Sequence, residues 1–119
     1  MPFPDETEDK DYEHAMHKLV VPVISKFMPE MIVLVIDQDS SAFDLNGRDC
    51  LKMEGYRIID QIMHQQVDQS GGERFLVVQE GGYYITYVAY YLRATLKGVL
   101  NLPHTLLPDL LMYYPDQVL

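Results

Sequence analysis

Met31-Ile32-Val33-Leu34-Val35-Ile36, followed at once by Asp37, is the stretch on which the fold turns. Four of these six apolar residues are β-branched, and the run has the length of a strand rather than of a helix. Apolar side chains at both parities predict a strand buried between two layers, as inside a parallel sheet. Phe75-Leu76-Val77-Val78 repeats the pattern more briefly, and Gly81-Gly82 should break it.

Helical periodicity fills the rest. Upstream, Tyr12, Met16, Leu19, Val20, Val23, Ile24 and Phe27 form an apolar stripe, with Pro22 expected to kink the helix and Pro29 to mark its end. Between the strands, Tyr56, Ile59, Ile62, Met63 and Val67 make the buried side of a second helix that Ser70-Gly71-Gly72 should close. After the second strand, Tyr84, Val88, Tyr91, Leu92, Thr95, Leu96 and Val99 predict a third helix stopping near Gly98 to Asn101. Residues 1–11, rich in proline and acidic side chains, read as an exposed lead-in, and residues 102–119, with three prolines, as an irregular tail of the same single domain. The order of elements is that of an α/β layered fold with a parallel sheet. Two strands leave such a sheet with open edges and uncovered apolar surface, which points to missing neighbours.

Composition narrows the function classes. Of the 119 residues, 48% are hydrophobic and 23% charged, the balance of a folded chain. The net charge of −9, with nine dispersed Lys and Arg, argues against nucleic acid as a partner. No apolar run approaches the roughly 18 residues that cross a bilayer, so no membrane role is expected. A lone cysteine, Cys50, and the lack of a signal-peptide pattern at the start make the cytoplasm the default location. Cys50 reads as a buried structural thiol, and His14 with His17 as solvated surface opposite the apolar stripe. For His64 a favourable interaction with its own helix dipole is sufficient, and the tyrosines 84, 87 and 91 share a packing face.

Ligands of open parallel sheets bind beyond the carboxyl ends of the strands. The two loops there are Asp37-Gln38-Asp39-Ser40-Ser41-Ala42-Phe43-Asp44 and Gln79-Glu80-Gly81-Gly82-Tyr83-Tyr84. Neighbouring strands would bring Asp39 and Tyr83 together, a carboxylate able to ligate a divalent metal beside a phenol able to donate to an oxyanion. Aspartates after strands are also common turn residues, and Gly-Gly a common turn, so spacing alone leaves both readings open.

The motifs themselves go further. Gln38 to Arg48, reading Gln-Asp-Ser-Ser-Ala-Phe-Asp-Leu-Asn-Gly-Arg, then Met53-Glu54-Gly55-Tyr56-Arg57 and Gln79-Glu80-Gly81-Gly82-Tyr83, resemble in order the C-terminal portion of the histone deacetylase and acetylpolyamine amidohydrolase family. Pro2-Phe3-Pro4 is similar to its Pro-Leu-Pro lead-in, and Thr95 to Leu100 with Tyr113-Tyr114-Pro115 to the tail of bacterial class II members. The resemblance implies part of an arginase-like three-layer fold. It implies Asp39 as a zinc ligand, Tyr83 as the catalytic hydroxyl that stabilises the tetrahedral oxyanion, and Gly81 and Gly82 as the substrate-pocket loop. The expected reaction is hydrolysis of an acetylated amine, of the acetyl-lysine or acetylpolyamine type, to acetate and free amine.

Two features depart from the family. The Asp-X-His and His-His motifs that supply the other zinc ligands and the proton-handling histidines do not occur here, so the chain alone is expected to be inactive, with Zn2+ bound only when other residues complete the site. Completion would come from the remaining part of the deacetylase fold or from a homo-oligomer. Asp37 stands where the family usually has glycine, and Leu45 where it has proline. At Asp37 a second carboxylate would repel substrate, add a stray ligand or alter the backbone. The competing expectation is a catalytically inactive remnant that acts as an interaction module.

Overall fold

The computed structural model describes residues 4, 6–41, 50–70 and 74–103. Its elements are α1 (Asp9–Ala15), a π-helical turn (Met16–Val20), α2 (Val21–Phe27), β1 (Ile32–Asp37), a 3-10 turn (Gln38–Ser40), α3 (Met53–Ser70), β2 (Phe75–Glu80) and α4 (Ile85–Val99). The strands pair in parallel from Ile32 opposite Phe75 to Asp37 opposite Glu80. Both therefore end at the same edge, and β2 runs two residues beyond the expected Val78.

The expectation that β1 is buried between two layers is corrected. Ile32 and Ile36 are buried and Leu34 is half-buried, whereas Val33 and Val35 are more than half exposed. On β2, Phe75 and Val77 point inward and Leu76 and Val78 outward. The described helices all pack on one face of the sheet, which makes two layers, and no third layer lies among the described residues. One cluster joins Ile32 to Met16, Ile62, Met63 and Val67, and a second joins Ile36 to Leu51, Tyr56, Tyr91 and Ala94. The expected face of tyrosines packs as such: Tyr84 stacks on Tyr87 at 5.2 Å, and Tyr91 lies 5.3 Å from Tyr56 between ring centroids.

Pro22 has no N–H to give the Lys18 carbonyl four residues back, and its ring would clash with that oxygen in a regular α-helix. The chain answers with a π turn immediately before it, in which the Val21 N–H reaches back to the Met16 carbonyl. Pro22 then sits in the first turn of α2, where the missing N–H is tolerated. Of the expected stripe, Tyr12, Met16, Val20 and Ile24 face the core, but Leu19, Val23 and Phe27 are exposed.

The lead-in is also less exposed than expected. Thr7 is buried, its carbonyl accepts the Cys50 N–H at 2.8 Å, and Glu8 forms a parallel bridge with Cys50. Asp9 Oδ1 then accepts the Lys52 N–H at 2.8 Å, tying the start of α1 to the start of α3. Cys50, expected to be buried, is half-buried. At the far end α4 closes in a Schellman arrangement, with Asn101 at φ 53° and N–H groups of Asn101 and Leu102 on the carbonyls of Gly98 and Lys97.

Candidate active site

Because β1 and β2 end in register, their loops leave side by side. Asp37 closes β1, and the chain turns through Gln38–Ser40, with the Ser41 N–H on the Gln38 carbonyl at 3.2 Å. Asp39, half-buried, points across to the second loop, and its Oδ1 accepts the Gly82 N–H at 2.8 Å. Asp39 is thus joined directly to the residue before Tyr83.

Both glycines of that loop are required by its backbone. Gly81 at φ 62° and Gly82 at φ 87° lie in the left-handed region. A Cβ at Gly81 would collide with Oδ1 of both Asp37 and Asp39, and one at Gly82 would sit 2.7 Å from Val88 Cγ2 and 3.0 Å from Gln38 Oε1. Tyr83 follows and is 55% exposed. Tyr84 then accepts the N–H groups of Tyr87 and Val88 and starts α4.

Two further tyrosines hold the first loop from behind. Tyr56 of α3 donates to the Asp37 carbonyl and Tyr12 of α1 to Ser40 Oγ, each at 3.3 Å. Burial pushes the Tyr56 phenol far above its ordinary range, so it remains a neutral donor. Gln38, which the motif reading passed over as a candidate, is fully buried between the loops. Its Oε1 accepts from Gln79 Nε2 at 3.2 Å, and its Nε2 has no partner among the described residues. Strand parity was the available signal, since Gln38 continues the inward series Ile32, Leu34, Ile36.

The carboxylate of Asp39 has the donor chemistry of one ligand to a divalent ion, with Oδ1 anchored and a second oxygen on the same group. Among the described residues no group of three or more His, Cys, Asp or Glu side chains could hold a metal ion. The residues present therefore fit a single ligand of such a site. Asp37 engages the backbone of the turn that follows it: its Oδ1 accepts the Asp39 N–H at 2.9 Å. Leu45 and His104 lie outside the described residues.

The other histidines stay apart from this edge. His14 and His17 are exposed, and His17 approaches Glu13 at 4.0 Å. His64 differs from expectation, because the helix end it serves belongs to α4: its Nδ1 lies 2.7 Å from the Val99 carbonyl. A carbonyl can only accept, so Nδ1 carries the proton.

The sequence model of the histone deacetylase domain matches residues 1–99. Histone deacetylase 8 of Arabidopsis thaliana is 52% identical over 117 residues, which are 98% of this chain and 31% of that protein. The solved structure of the histone deacetylase Clr3 superposes with a TM-score of 0.75 at 23% identity, over 97% of this chain and 18% of that one. An acetylpolyamine aminohydrolase from Burkholderia pseudomallei does so with a TM-score of 0.71 at 18% identity, over 83% and 27%. At such identities the two structures speak for the fold, and the chain spans about a third of the plant relative's length or less of the solved chains. The two-stranded parallel sheet and its helices are accordingly part of an arginase-like α/β fold, and the chain belongs to the histone deacetylase family.

Proposed function

We propose that this chain forms the C-terminal part of the catalytic domain of a zinc-dependent deacetylase acting on an acetylated amine, either acetyl-lysine or an acetylpolyamine. The observation that carries the reading is the hydrogen bond from the Gly82 N–H to Asp39, which couples a potential metal ligand to the loop bearing Tyr83. In this reading Asp39 is one zinc ligand, held in orientation by Gly82. Zinc, when bound, supplies a Lewis acid for the acetyl carbonyl and lowers the pKa of a water. Tyr83 donates its hydroxyl proton in a hydrogen bond to the carbonyl oxygen as negative charge develops there. Gly81 and Gly82 form the substrate-pocket loop, their lack of side chains letting its backbone fold close against Asp39 and Gln38. The remaining ligands and proton-handling histidines come from the rest of the fold, docked on the apolar face left by Val33, Val35, Leu76 and Val78. A single cysteine agrees with the reducing cytoplasm as its location.

The test is complementation of the chain by the N-terminal portion of a family member that carries Asp-X-His and His-His. Deacetylation of an acetyl-lysine peptide or an acetylated polyamine should appear only with zinc. Tyr83→Phe should lower kcat by roughly 10²- to 10³-fold, the loss typical of one oxyanion donor. A complex that forms and takes up zinc but shows no turnover with the unmodified chain would establish the inactive interaction module instead.

A further inference from the structure

Asp37 ends β1 with φ −96° and ψ 112°, an extended conformation open to any residue, so nothing in the backbone here asks for glycine. What the aspartate contributes is its side chain. Oδ1 caps the 3-10 turn by accepting the Asp39 N–H at 2.9 Å, and that turn carries the Asp39 carboxylate to the Gly82 N–H at 2.8 Å. Oδ1 atoms of both aspartates lie within collision distance of where a Cβ on Gly81 would stand. Like charges so placed repel, and each is held in place by its own N–H donor. A three-residue turn has few internal hydrogen bonds to keep its shape once the cap is removed.

We propose that Asp37 is a positioning residue, fixing the Asp39 carboxylate against the Gly82 N–H by capping the turn between them. The aspartate found where the family usually has glycine then strengthens the setting of the ligand rather than competing with it. The role rests on Asp39 being a metal ligand, but the linkage from Asp37 through Asp39 to Gly82 is measurable without metal.

Amide hydrogen exchange on the 15N-labelled full chain, in the unmodified protein and in Asp37→Ala, Asp37→Asn and Asp39→Ala, is the test. Asp37→Ala should speed exchange roughly fivefold or more at Asp39 and also at Gly82, with the amides of α3 unchanged. Asp37→Asn keeps an oxygen acceptor in place and should restore both. Asp39→Ala should release the Gly82 amide whatever occupies position 37. Gly82 protection unchanged in Asp37→Ala overturns the proposal, as does failure of Asn to rescue it or acceleration spread through α3, which would make Asp37 a general stabiliser. A negative zinc or turnover result would strike the reading of Asp39 and leave this exchange pattern to be judged separately.

Discussion

Asp60 is 2% exposed between α3 and α4, opposite Thr95, and neither its Oδ2 nor Thr95 Oγ1 has a hydrogen-bond partner among the described residues. Burial raises the carboxyl from its ordinary 3.8 to about 7, opposed in part by the facing Thr95 hydroxyl, which stands outside good hydrogen-bond geometry. The folded state therefore binds more protons than the unfolded state between about pH 4 and pH 7, and stability falls as pH rises through that window. A shift of this size corresponds to a loss on the order of 4 kcal/mol. Urea midpoints measured from pH 4 to 8 should decline accordingly, and Asp60→Asn should flatten the decline to what remains from Asp9, whose carboxyl burial also raises. An undiminished slope in the variant would assign the effect elsewhere. This acid was invisible in sequence, because it falls within the helix's own apolar periodicity and only the approach of α4 closes it off. Asp39 and Tyr83 were legible as candidates because they stand at the ends of two runs whose strand character was plain. Their linkage through Gly82 was not, since it depends on the shape of a turn that the side chain of Asp37 sets.

Among the elements, α3 and α4 approach so closely at Gly98 that a Cβ there would meet the Arg57 carbonyl and Asp60 Cβ. Alanine at position 98 would gain about 1 kcal/mol of helix propensity. Its Cβ, however, would collide with backbone of α3, and overpacking of this kind costs about 1–3 kcal/mol. The second effect wins because a carbonyl oxygen in a helix cannot swing aside as a side-chain end can. Gly98→Ala should lower stability by roughly 1 kcal/mol and weaken the 2.7 Å contact of His64 with Val99, readable as a shift of the imidazole resonances. An equal or higher denaturation midpoint would show that the helices separate freely. Gly98 was legible only as a stop signal at the helix end, whereas its missing side chain is what lets the two helices meet. The apolar stripe before β1 was legible as a helix, but its inner and outer sides were not. Leu19, Val23 and Phe27 follow the same spacing as Met16, Val20 and Ile24, and the π turn decides which row meets the sheet.

At the scale of the molecule, the sequence already implied uncovered surface, and the structure locates it. Apolar residues at both parities of β1 were chosen for a sheet covered on two sides, and only the side toward the helices is covered here. Val33, Val35, Leu76 and Val78 remain outward on adjacent strands, with Phe27 and Met28 exposed near the start of β1. Burying the exposed parts of these four half-exposed side chains would contribute about 1 kcal/mol each, which together is appreciable beside the roughly 5–15 kcal/mol that separates folded from unfolded domains. That imbalance favours either association of the chain with itself or capture of a covering layer. Replacing Val35 and Leu76 with threonine keeps the β propensity and removes apolar area. The double variant should bind less of a hydrophobic dye and scatter less light, by at least about twofold, at unchanged far-UV circular dichroism. In complementation with an N-terminal family portion, the same pair should weaken the complex about tenfold or more, through the loss of about 1.4 kcal/mol or more of interface burial. If the variant matched its parent in dye binding, scattering and complex formation, this face would not be where a partner layer docks.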